Sequence, residues 1–240
     1  MDFLSINVID VVIVLMILLA GVVGLKRGFF REIVMTIGYF LLIIISFWIK
    51  TPIGEFLAEN LPFLTFGGKL IYMPVVNIVF YQMIAFIVVF AILAILFNVI
   101  LITSKVLEKI LDATIVLGLV SKILGFFVGL IEGYIIMYFV CILLSFPVFN
   151  QTVVAESKLK NDMLSNTPIL SKYTGGLVRT VDGIVDLTKD FKEDNADDFN
   201  LKAVELMLDN KMVTKEHIIK LIDQNKLDTP GMRELAESYK

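Results

Sequence analysis

Four long apolar runs punctuate the first 149 residues, and their lengths carry the first structural inference. Val8 to Leu25 is 18 residues broken only by Asp10, about what a helix needs to cross the hydrocarbon core of a bilayer. Its opening, MDFLSINVID, is acidic, and the basic residues of KRGFFRE come after it. A secretory signal carries its positive charges first, so a retained membrane helix is predicted. Ile33 to Ile49 forms a second run that ends at Lys50. The stretch TPIGEFLAENLPFLTFGGKLIYMP follows, and its prolines and glycines argue against a continuous span. Its piece IGEFLAENL is expected as a short amphipathic helix lying on the membrane surface. Ile78 to Thr103 is the longest unbroken run, and a fourth extends from about Leu117 to Phe146 with Lys122 near its entrance. Four transmembrane helices are predicted.

From residue 150 the pattern changes. Leu170, Tyr173, Leu177, Val181, Ile184 and Val185 recur at steps of three and four, which predicts an amphipathic helix after Pro168. The acidic linker KDFKEDNADD comes next. Then FNLKAVELMLDN, TKEHIIKLIDQN and PGMRELAESY predict three short helices, with Thr214 an N-cap and Pro230 at or near the first turn of the last. A core that small buries little surface and is expected to need the membrane or a partner. The expected organisation is an all-α integral membrane protein: a four-helix transmembrane domain over residues 1–149, an amphipathic helix and acidic linker over 150–198, and a small helical tail module over 199–240.

Composition agrees with that division. Of 240 residues 58% are hydrophobic and the mean hydropathy is +0.85, above what an ordinary soluble domain carries. Residues 1–149 hold eight basic and eight acidic side chains, against 13 and 16 in residues 150–240. A net charge of −3 leaves no basic footprint for nucleic acid. The short connections decide the expected orientation. Lys26, Arg27, Arg31, Lys105, Lys109 and Lys122 fall in the first and third, and only Lys50 and Lys69 in the second. Basic loops stay in the cytoplasm, so both termini are expected on the far side of a bacterial cytoplasmic membrane.

The fourth helix carries a stripe. At about 100° per residue, with Gly118 as zero, Gly125 falls at about −20°, Gly129 at about +20° and Gly133 at about +60°. Lys122 and Glu132 fall on the same side. The first helix matches it: with Asp10 as zero, Gly21, Gly24 and Gly28 lie within about 40° of that acid. Lipid tails are as apolar as leucine, so membrane helices associate by backbone approach, which glycine permits. The two glycine faces are predicted to pack together. A path lined by the same glycines is the alternative. Glu132 lies about 15 Å along the axis from Lys122, deep enough that its charge must be paired, hydrated or neutralised. Asp10, near a first turn, reads as an anchor or cap. Asn98 either bonds a neighbouring helix or sits solvated at an end.

Catalytic chemistry has few candidates. There is no GxSxG elbow, phosphate loop, HExxH or GxGxxG after a strand. The one histidine, His217, has no second ligand beside it in sequence and is expected on the surface; the one cysteine, Cys141, is expected to be inert packing. No cofactor, metal or enzymatic activity is expected. The partners expected are the lipid bilayer and a second copy of the chain or other membrane proteins.

Taken in order, Asp10 at the start of the first helix, the turn KRGFFRE with Arg27, Gly28, Phe29, Arg31 and Glu32, the segment NVILITSKVLEK around Asn98, and SKILGFFVGLIEG are similar to the colicin V production protein family. The resemblance covers about residues 7–146. It implies a compact four-helix protein of the bacterial membrane, required for production or export of a peptide toxin and linked to envelope maintenance. The chain departs from the family in two places. Ser121-Lys122 stands where the family commonly has Asp-Arg, and Glu132 where it often has a basic residue, so no role for Glu132 is carried over. A channel or transporter component, and a membrane anchor presenting the tail to a partner, are the alternative functions.

Overall fold

A computed structural model of the chain describes residues 7–103, 106–146, 149 and 152–239, without the side chains of 106–117, 152, 168–169 and 171–173. Helices account for nearly all of it: α1 (Val8–Arg27), α2 (Phe29–Asn60), α3 (Val75–Thr103), α4 (Val106–Leu144), α5 (Thr152–Ala155), α6 (Lys158–Ser165), α7 (Pro168–Lys189), α8 (Ala196–Asp209), α9 (Lys215–Asp223) and α10 (Met232–Ser238). The protein is an all-α membrane protein. Val8–Arg27, Phe29–Asn60, Val75–Thr103 and Gly118–Leu144 are each long and apolar enough to cross a bilayer. Leu15, Leu18, Leu19 and Val22 of α1 and Ile95, Ile100 and Ile102 of α3 lie exposed, a cost in water that lipid removes.

The chain divides into two compact units. One comprises Met1–Ser46, Val89–Ile142 and Thr152–Asn166, the other Phe47–Val88, Leu143–Gln151 and Thr167–Lys240. In the first, α1 and α2 are joined by a single residue, Gly28, whose φ of 79° only glycine adopts readily. Phe29 then begins α2 with its N–H donated to Ser121 Oγ at 3.1 Å, which satisfies one of the donors a helix start leaves free. Tyr39 of α2 stacks edge-on against Phe97 of α3. The Asn98 Nδ2 donates to the Tyr39 hydroxyl at 3.4 Å and to its own helix at Ala94, so the interhelical alternative for Asn98 is the one observed.

In the second unit, the segment expected as a separate surface helix is instead the last third of α2, which runs unbroken through Pro52 to Asn60. Proline removes the helical donor to the Trp48 carbonyl, a loss that packing against α3 overrides. Gln82 of α3 lies against Gly54, donates to Thr51 O at 3.3 Å and accepts from the buried Lys50 Nζ at 3.2 Å. The tail helices pack as the periodicity predicts: Leu170, Val181 and Ile184 of α7 are buried, with Leu177 and Val185 half-buried, while the Tyr173 side chain lies outside the described residues. Phe199, Val204 and Met207 of α8 share a core with Ile218, Leu221 and Met232. Thr214 caps α9 by accepting from His217 N–H. Pro230 precedes the first turn of α10, whose cap is Gly231 at φ 81°.

The side chains of Lys105 and Lys109, two of the basic residues assigned to the third connection, lie outside the described residues.

Candidate functional site

The glycines of α1 and α4 meet antiparallel and backbone to backbone. A methyl group built on Gly24 overlaps the Gly125 carbonyl oxygen, one on Gly125 falls 2.5 Å from Gly24 O, and one on Gly129 falls 2.5 Å from Ala20 O. Gly133 faces Ala20 and Ile17 in the same way. Gly21 is closed by side chains, those of Leu130 and Phe126. Gly118 is different. Among the described residues nothing lies within 4 Å of a methyl group built on it, and it carries the non-helical φ of 51° that breaks α4, so it marks the entry to the span rather than a packing contact.

That approach leaves the polar side chains at its edge crowded together. Arg27 Nη1 lies 3.5 Å from Glu32 Oε2 and 3.9 Å from Glu132 Oε1. Thr36, one turn beyond Glu32, donates its hydroxyl to Glu132 Oε2 at 3.4 Å. The side chains of Glu32 and Glu132 are 1% and 8% exposed, that of Arg27 30%. One guanidinium thus serves two carboxylates from α2 and α4. The pairing answers how a glutamate comes to stand deep in an apolar helix: it faces protein, and a cation reaches it from the end of α1. With Met16, Leu19, Ala20, Val23, Gly133, Ile136 and Met137, the three charged residues line a cavity of about 270 Å³.

The remaining polar positions play other parts. Asp10 Oδ1 accepts from Ser157 Oγ at 2.5 Å and from Leu159 N–H at 3.1 Å, while Asn7 caps α1 and donates to Val153 O at 2.6 Å. The start of α1 is therefore tied to α5 and α6. Lys122 and Lys26 are exposed. Arg31 is half-buried, and its Nε has no hydrogen-bond partner among the described residues. Thr36 and Ser157 were not singled out by the sequence, because a hydroxyl in an apolar helix or at a helix start carries no mark of its distant partner. The expectation for His217 fails outright: it is 2% exposed, with Nδ1 3.2 Å from Glu59 Oε1.

A family model described as "Colicin V production protein" matches residues 9–168, two thirds of the chain and all four spans. The chain belongs to the colicin V production protein family. It is 27% identical over 177 residues to a protein named "Uncharacterized transmembrane protein YshB" from Bacillus subtilis (strain 168), an overlap of 68% of this chain and 93% of that one. No solved structure matches it. The family match runs through α5 and α6, the elements fastened to Asp10, and stops where α7 begins. Arg27, Glu32, Thr36 and Glu132 all lie inside it.

Proposed function

We propose that the protein is a non-enzymatic factor of the bacterial cytoplasmic membrane that serves toxin production or export, or envelope maintenance, and acts through the Arg27–Glu32–Glu132 centre. One observation carries this reading: two buried carboxylates from different helices share one guanidinium, and a buried charge that serves no purpose is expensive. The test is complementation of a producing strain that lacks the gene. Glu132→Gln is expected to insert at wild-type level yet fail to restore toxin export or resistance to envelope stress. Full restoration by this variant removes the centre from the function.

A second reading, a channel or transporter component, is favoured by the cavity beside the ion pairs. The glycine stripe itself is filled by the α1 backbone, so the path runs through the cavity and not along the glycines. Solute or proton flux in liposomes that Glu132→Leu abolishes supports this reading, and sealed vesicles exclude it. The active form is an assembly with a second copy or with other membrane proteins.

Both termini lie outside the cytoplasm, following the six basic residues of the first and third connections against two in the second. In a Cys141→Ser background, a cysteine replacing the exposed Ser238 is expected to react with a membrane-impermeant maleimide on intact cells. Reaction only after lysis reverses the orientation.

A further inference from the structure

The tail module is fastened to the end of α2 by a set of polar contacts that the family match does not include. Glu55 Oε1 accepts from the backbone N–H and hydroxyl of Thr214, at 2.8 and 2.9 Å, which ties the cap of α9 to α2. One turn further on, Glu59 pairs with both His217 and Lys220. Lys226, just past α9, donates to the carbonyls of Ala58, Glu59 and Leu61 at 2.7 to 2.9 Å. A helix end presents carbonyls without helical donors and a partial negative charge, and a lysine answers both. The module supplies the C-cap that α2 lacks in its own sequence, and α2 supplies the support that so small a core needs.

His217 sits at the centre of this contact. Its Nδ1 meets Glu59, while its Nε2 is buried with no partner among the described residues. The charges around it are Glu55 and Glu59 from α2 and Lys220 from its own helix. A neutral ring donates one N–H to Glu59 and leaves only a lone pair unmet. A protonated ring leaves a charged N–H unmet in a buried place, which is far more costly. Burial accordingly lowers the His217 pKa from 6.5, and it outweighs the two carboxylates, which act to raise it.

We propose that His217 is an acid-released latch, which holds the helical tail module on the end of α2 at neutral pH and frees it when the imidazole takes up a proton. The sign follows from linkage. The docked state binds the proton more weakly than the free state, so docking is complete above pH 6.5 and weakens as pH falls from there toward the docked pKa. The loss is about tenfold in the docking equilibrium per pH unit within that window. Release exposes the carbonyls of Ala58, Glu59 and Leu61. The latch does not rest on the function proposed for the Arg27–Glu32–Glu132 centre.

His217 is the chain's single histidine, so one resonance reports the switch. Tag-free, full-length protein with labelled histidine in phospholipid nanodiscs is titrated from pH 8 to pH 5, and hydrogen exchange of residues 196–239 is followed in parallel. The expected result is an imidazole that titrates below 6.5, and exchange protection that falls about tenfold per pH unit over the same interval. His217→Gln, which keeps a donor toward Glu59, is expected to hold its protection constant from pH 7 to 5.5. An imidazole titrating at or above 6.5 in the wild-type protein overturns the proposal, whatever the variant does. So does wild-type protection that stays flat across the range, or a variant that keeps the wild-type pH dependence.

Discussion

Arg27→Gln is expected to destabilise the protein in nanodiscs by about 3–5 kcal/mol, the range seen when one partner of a buried ion pair is removed. The guanidinium is the cation within salt-bridge distance of Glu32 and Glu132, and without it two buried carboxylates face each other. Their repulsion adds to the desolvation each already bears. Glu132→Gln is expected to cost less, because Arg27 keeps Glu32 and the new amide still meets the Thr36 hydroxyl at the place Glu132 occupies. Combining the two substitutions is expected to cost less than the sum of the single effects, since removing Glu132 relieves the repulsion that removing Arg27 creates. Thermal unfolding of the three variants decides it. An Arg27→Gln no worse than Glu132→Gln means that neither the 3.5 Å contact with Glu32 nor the repulsion between the carboxylates contributes.

How far this centre was legible depends on the length of chain each contact spans. The four helices and the glycine faces follow from periodicity and side-chain size, which are local properties. The two glycine faces could be matched because both are marked by the same missing side chain, while the contact of Gly24 with Gly125 is seen only in three dimensions. Glu132 was visible as a buried charge in an apolar run, but its partner was not: Arg27 was assigned to a cytoplasmic loop by its place in KRGFFRE, and only the three-dimensional approach of α1 to α4 shows its side chain turned inward. Asp10 likewise reads as an anchor or cap near the first turn of its helix, but the groups it holds, Ser157 and Leu159, lie nearly 150 residues away. The misreadings share a cause. IGEFLAENL reads as separate from α2 because proline and glycine are local breakers, and His217 reads as a surface residue because no neighbour in sequence explains burying it. Gln82 against Gly54 and Glu59 against His217 are contacts between distant segments, and they override the local signals.

The second large effect is expected at Gly24. In an exposed helix, glycine to alanine stabilises by up to about 1 kcal/mol. At Gly24 the sign reverses, because the added methyl group meets the Gly125 carbonyl oxygen, a backbone atom in the facing helix with no rotamer to escape into. Overpacking of that kind costs about 1–3 kcal/mol and sometimes more. Gly24→Ala and Gly125→Ala are therefore expected to lower the thermal midpoint and the yield of folded protein together. Gly21→Ala is expected to do less, since the atoms it meets are side-chain ends of Leu130 and Phe126 that can swing away. Gly67→Ala, with nothing within 4 Å and an ordinary φ of −72°, serves as the neutral control. If Gly24→Ala proves no worse than Gly21→Ala, backbone contact does not hold the two helices together. The ranking also bears on the polar centre. Gly133 follows Glu132 and packs on Ala20 and Ile17, so forcing α1 from α4 carries Glu132 away from Arg27. A glycine variant that inserts but stands slightly open is expected to lose function in the same assay as Glu132→Gln, because in both the guanidinium is left with Glu32 alone.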